Sequence, residues 1–218
     1  MGCMFRTISI ISFIVAFAAI AVHYVACLLS RPRKWRPIEI IRKLVRLLTL
    51  LLLEQRLSAI GILKKLIYLL ALFCFAVLLI TGFGPRLILH NSLSGYWLMV
   101  HATFAPVFAL CLVALAVMWA YSFRFKSDCR PLPHPVQPGK TNEDNIAGGS
   151  ILVMKICFWL ICVLALPLFL SIVLSMFPLF GTNGQEFLFQ LHRYSALLLA
   201  LAAIVHIYLL ITTQLRKQ

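Results

Sequence analysis

The sequence predicts an all-α protein, a polytopic transmembrane helix bundle of about five spans with an interfacial amphipathic helix. Three observations carry that prediction. Of the 218 residues, 62% are hydrophobic and only 12% are charged, with a mean hydropathy of +0.99. Soluble domains are about half apolar and a quarter charged, so this chain has too little polar surface to be covered by water. The apolar residues also fall in long uninterrupted runs, and about 20 such residues cross the hydrocarbon core as a helix. Finally, no run shows the strict alternation of a membrane barrel strand.

Five runs meet the length standard. They lie at about Phe5 to Leu29, Leu63 to Phe83, Tyr96 to Tyr121, Ile151 to Phe177 and Phe187 to Thr212. Lipid offers backbone groups no partners, so each run must bond within itself as a helix. The first run is too long for the apolar region of a cleaved leader, and no A-x-A site precedes a polar start. It is expected to remain as a helix.

The net charge of +14 is distributed in a way that argues for a membrane rather than nucleic acid. Ten basic residues lie between Arg31 and Lys65, and Arg124, Lys126, Arg130 and Lys140 follow the third run. The opposite loops hold only Arg86, with Arg193 at a helix start and Arg6 near the amino terminus. Positive charge collects on the cytoplasmic side, which places the amino terminus outside and the carboxyl terminus inside. The expected location is therefore a bacterial inner membrane, with no nucleic-acid partner.

Between the first two runs, Glu39, Arg42, Lys43 and Arg46 recur at helical spacing among Ile38, Ile41, Leu44, Val45 and Leu48. This pattern predicts an amphipathic connector lying in the cytoplasmic interface. From Ser122 to Ser150 the chain is polar and rich in proline and glycine, which predicts an irregular loop. His134 lies there as a solvated residue.

Seven cysteines are present, at positions 3, 27, 74, 111, 129, 157 and 162, and none forms C-x-x-C or C-x-x-C-H. Covalent haem and thiolate-held clusters are unsupported. The six acidic residues all lie outside the deep parts of the spans, where a proton-driven transporter places its carboxylate.

The histidines carry the functional reading. His192 and His206 lie fourteen residues apart on the fifth run. Fourteen steps return to within about 40° of the same face and rise roughly 21 Å. Two imidazoles on one face at opposite depths suit two stacked haems. His101, early in the third run, matches the outer depth of His192. His23, late in the first, matches the inner depth of His206. Two axial imidazoles leave no open iron position, which suits an electron carrier. Arg86 and Arg193 stand where they can neutralise outer propionates, and His90 is a further outer-side candidate. The alternative is a haem-free anchor or assembly subunit whose histidines bond across helices.

The stretch from Leu191-His192-Arg193-Tyr194 to Val205-His206-Ile207-Tyr208 resembles the last helix of the membrane cytochrome b subunits of formate dehydrogenase, nickel–iron hydrogenase and thiosulfate reductase. Lys64-Lys65 through Leu79-Ile80-Thr81-Gly82 resembles that family's first helix, which ends in a Thr-Gly turn, and Tyr96 to His101 resembles the start of its second. The likeness divides the chain into an extra amino-terminal helix with connector (residues 1–61) and a four-helix cytochrome b domain (residues 62–218). It implies two b haems, an iron–sulfur or multihaem partner subunit, quinone as substrate, and a role as the electron-transfer subunit of an oxidoreductase complex. One departure stands out. The family's first helix carries a haem-ligating His near its start, where this chain has Leu66-Ile67-Tyr68. His23 is the expected substitute. Quinone is expected at the inner haem beside the connector, near Lys64, Lys65 and Glu54.

The charge asymmetry makes topology testable. A cytoplasm-dependent reporter fused at Gln218 is expected to be active and a periplasm-dependent one inactive; the reverse would remove the five-span arrangement.

Overall fold

A computed structural model describes residues 2–30, 59–88, 93–120, 142–177 and 180–217. The described elements are five α-helices: α1 (Gly2–Ser30), α2 (Ala59–Leu87), α3 (Gly95–Trp119), α4 (Asn142–Ser175) and α5 (Gly181–Lys217). Each is long and apolar enough to cross a membrane. The expected all-helical, five-span architecture is what the chain adopts. The connector around Glu39, together with Glu54, His90 and His134, lies outside the described residues.

The helix boundaries depart from the hydropathy reading in three places. α2 does not end at Thr81-Gly82 but runs on through Pro85 to Leu87. Pro85 has no N–H to give the Thr81 carbonyl, yet its fixed φ is compatible with helix and its ring is buried. α4 begins at Asn142, within the stretch expected to be loop. α5 begins at Gly181 rather than near Phe187. Gly181 has φ 61°, a left-handed conformation open to glycine at little cost, and it turns the chain sharply into the helix.

Packing organises the helices into two antiparallel hairpins. α4 lies closely along α5 and α2 along α3, while the two hairpins touch each other more sparsely. The shared core is built from Cys74, Phe108, Ile161, Ala165, Leu168 and the α5 residues Leu199, Ala202 and Ala203. Small side chains on α4 and α5 let the two backbones approach, which is how helices associate when lipid removes the hydrophobic drive between them. The opposite helix faces expose large apolar residues such as Leu110, Val117, Leu166 and Leu170. In water such a surface is untenable; in hydrocarbon it is the solvated face.

α1 is attached at two levels. At its amino-terminal end Phe5 stacks on Phe83 at 6.5 Å and meets Tyr194 edge-on at 5.3 Å, and Phe13 meets Phe83 edge-on at 5.2 Å. Near its other end His23 meets Tyr208 edge-on at 5.5 Å. Between these anchors most of α1 remains exposed. Cys74, Cys111 and Cys157 are buried free thiols within the helices.

Candidate functional site

The α4/α5 seam fixes two of the four candidate histidines in the same way. His192 Nδ1 donates to the Leu168 carbonyl at 3.2 Å, and His206 Nδ1 donates to the Met154 carbonyl at 3.1 Å. Fourteen residues separate the two histidines on α5 and fourteen separate the two carbonyls on antiparallel α4. Both rings therefore stand on the α4-facing side of α5, at opposite depths. A carbonyl oxygen can only accept, so each Nδ1 carries the hydrogen. In the neutral ring the lone pair then lies on Nε2, the nitrogen left for a metal.

His101 on α3 reaches the same state through a side chain. The Thr81 hydroxyl donates to the Val77 carbonyl at 2.8 Å, so its oxygen accepts from His101 Nδ1 at 3.0 Å. A Cβ built on Gly82 would lie 3.2 Å from His101 Cε1. Glycine at that position gives the ring room to lie against α2. The Thr-Gly pair thus serves as the bed of the His101 imidazole inside a continuous helix. His101 and His192 are close enough for their rings to interact electrostatically. The two residues come from opposite hairpins, His101 held on α2 and His192 on α4.

His23 is placed differently. Its Nδ1 lies 2.6 Å from the Tyr208 hydroxyl. Tyr208 follows His206 by two residues, about 200° around the helix, so His23 approaches α5 on a side turned away from the His206 ring. The depth of His23 is that of His206, but its direction is not.

At the His192 level, cations gather around one aromatic ring. The Arg193 guanidinium sits 4.0 Å over the Phe5 ring and 5.2 Å from that of Phe189, and Arg86 sits 5.8 Å from Phe5. Arg193 is only 9% exposed. Its one described hydrogen bond, to Gln190, is long at 3.5 Å, and Nη2 is buried without a partner. A buried charge without a counter-charge costs several kcal/mol, so this guanidinium is suited to an anionic group.

The residues from Lys65 to the carboxyl terminus match a protein-family model described as prokaryotic cytochrome b561, over positions 65–218. The chain belongs to that family. No curated protein and no solved structure matches it. Membership makes the chain a multi-pass membrane cytochrome b that binds haem b and transfers electrons. The residues at the His192 level fit such a group in three respects. Two imidazoles offer Nε2 lone pairs, Gly82 leaves one ring its space, and Arg193 holds an unanswered positive charge for a propionate.

The supporting groups were not apparent from the sequence. The Leu168 and Met154 carbonyls leave no side-chain signature at all. Thr81 and Gly82 were visible, but as an ending for a helix.

Because the Thr81 hydroxyl orients His101, Thr81→Val is expected to weaken haem retention by about 10- to 100-fold, the usual effect of removing a ligand's hydrogen-bond partner. Gly82→Val is expected to act likewise by displacing the ring. Gly84→Val is the matched control, since a Cβ there meets nothing within 4 Å. Equal haem content in all three purified proteins would remove the supporting role of the Thr-Gly pair.

Proposed function

We propose that this cytochrome b is the membrane anchor of a respiratory oxidoreductase, exchanging electrons between an iron–sulfur or multihaem partner subunit and the quinone pool. The observation that carries the reading is that His101 and His192, from opposite hairpins, each have Nδ1 held by a partner, which leaves the lone pair on Nε2. Bound haem b supplies a one-electron iron couple.

His101 and His192 hold the iron-facing nitrogens in place from two separate hairpins. Two such imidazoles would leave no position for oxygen on a bound haem, which suits electron transfer over oxygen activation. Arg193, with Arg86 beyond Phe5, would neutralise the propionate carboxylates. The apolar walls exclude water, and the surrounding helices keep the site within the span. His206 has its Nδ1 held by the Met154 carbonyl in the same way at the second depth. His101, His192 and His206 each have Nδ1 engaged, as His23 does with Tyr208.

The charge distribution puts the His206 level on the cytoplasmic side. Lys64 and Lys65 lie in the second turn of α2 there and are half-buried, in position to meet a quinone head group and its protons. Timed oxidation of pre-reduced protein by quinone is expected to slow in Lys64→Ala and Lys65→Ala at unchanged haem content. Unchanged rates, with slowing by substitutions near Glu186, would move quinone to the other face.

The central test is spectroscopic. His101→Ala and His192→Ala are each expected to lose the same b-type component from the reduced-minus-oxidised spectrum. Retention of every component in both variants would favour the haem-free anchor.

A further inference from the structure

Of the described side chains of α1, only Phe5 and Ser9 are buried, about one turn apart on the same stripe of the helix. The Ser9 hydroxyl donates to the Phe5 carbonyl at 2.8 Å, within α1 itself. Phe5 is therefore the one large side chain that α1 buries in the bundle, and it does so at the His192 level. Its ring is held by Phe83, stacked at 6.5 Å, and by Tyr194, edge-on at 5.3 Å. Over that fixed ring lies the Arg193 guanidinium, 4.0 Å from the centroid.

The group that stands against a buried guanidinium decides what its charge can do. A carboxylate there would pair with Arg193 and cancel its field. An aliphatic side chain would offer no electrostatic attraction, and the long arginine stem could carry the head along the helix toward water. An aromatic face attracts the cation through its quadrupole while leaving its net charge and its N–H groups in place. Arg193 has that character: it is 9% exposed, its bond to Gln190 is long, and Nη2 is buried without a partner. Phe189 adds a second ring at 5.2 Å, but it belongs to α5, the helix that carries Arg193. Phe5 comes from another helix, one that lies outside the residues 65–218 matched to the family. Arg193 also follows His192 directly in the chain, so a charge kept there stands beside that imidazole.

Resting on the haem reading above, we propose that Phe5 is a positioning residue for Arg193, whose ring keeps the guanidinium inside the bundle, charged and unneutralised, beside His192. A fixed positive charge in a medium of low dielectric favours the state with one more electron. The α1 helix thereby raises the midpoint potential at the His192 level through Arg193, without contributing a ligand.

The experiment is a redox titration of the full-length protein, following the b-type component that His101→Ala removes, with haem content measured in each variant. Arg193→Gln is expected to lower the midpoint potential. Phe5→Leu, which keeps bulk and loses the ring, is expected to lower it by at least half as much, and Phe5→Tyr to restore it. In the Phe5→Leu, Arg193→Gln double variant the potential is expected to equal that of Arg193→Gln alone, because residues acting through one another are not additive. Phe13→Leu alters the same α1/α2 packing at Phe83 and is expected to change nothing. An unshifted potential in Phe5→Leu, or a shift that adds in full to that of Arg193→Gln, would overturn the proposal and leave Phe5 as a packing residue. Equal shifts in Phe5→Leu and Phe5→Tyr would overturn it too. Should Phe5→Leu lose its haem, the double variant decides: haem regained with Arg193→Gln supports the proposal, and haem lost in both overturns it. A b-type spectrum missing from the unaltered protein would instead remove the haem reading, and this proposal with it.

Discussion

A buried imidazole in hydrocarbon has two nitrogens to satisfy, and the arrangement of this bundle follows from how one of them is satisfied. His192 and His206 each give Nδ1–H to a carbonyl of α4, and His101 gives it to a threonine on α2. Each bond contributes only about 0.5–1.5 kcal/mol net. Its larger consequence is directional: the hydrogen is fixed on one nitrogen and the lone pair is aimed from the other. The carbonyls of Leu168 and Met154 belong to a helix whose own ladder already uses them, and the Leu168 oxygen accepts from the Ser171 hydroxyl as well. Oxygen's second lone pair makes this possible at Met154 without breaking the helix, and at Leu168 the His192 and Ser171 hydrogens share it. Imidazole orientation is therefore a property of the α4/α5 register, and sliding that seam by one residue would lose both bonds together.

The hairpin architecture supplies the rest. Tight packing within α2/α3 and within α4/α5, with looser contact between them, leaves the apolar space where two hairpins face each other. A flat macrocycle requires such a gap, and closely packed helices do not provide one. Cys74, Phe108 and Ala203 seal the middle of the bundle between the two histidine levels. Division of labour follows: the hairpins each form a rigid wall, and ligands are drawn from both.

The spans were legible because lipid imposes one rule on every residue of a segment, so hydropathy and length suffice. The histidine spacing on α5 was legible for the same reason, since a long membrane helix keeps its period. Ends and directions were harder. Gly82 and Pro85 look like terminators, yet membrane helices tolerate both when neighbours use the space they leave. His23 illustrates the other limit. Counting residues from a span's end places a side chain in depth, but its rotation about the axis depends on how α1 leans on α5, and that is decided by Phe5, Phe13 and Tyr208. Tyr68 was visible as a departure at a ligand position. Only the folded bundle shows that its ring and that of His206 line one cleft.

α1 links these elements at the His192 level. Phe5 is 4% exposed, and its ring lies beside Arg193, Arg86, Phe83 and Tyr194 at once. An aromatic face attracts a guanidinium by about 0.5–2 kcal/mol, more when water is excluded. That attraction is smaller than the several kcal/mol needed to strip a charge of its water. Phe5 therefore reduces the cost of keeping Arg193 inside the bundle without removing it. The remaining demand falls on Nη2, which is the atom turned to no described partner. An anionic group carried by a bound cofactor would answer that demand in a way an aromatic ring cannot, and the helix outside the family's matched region contributes Phe5 to the surroundings of Arg193.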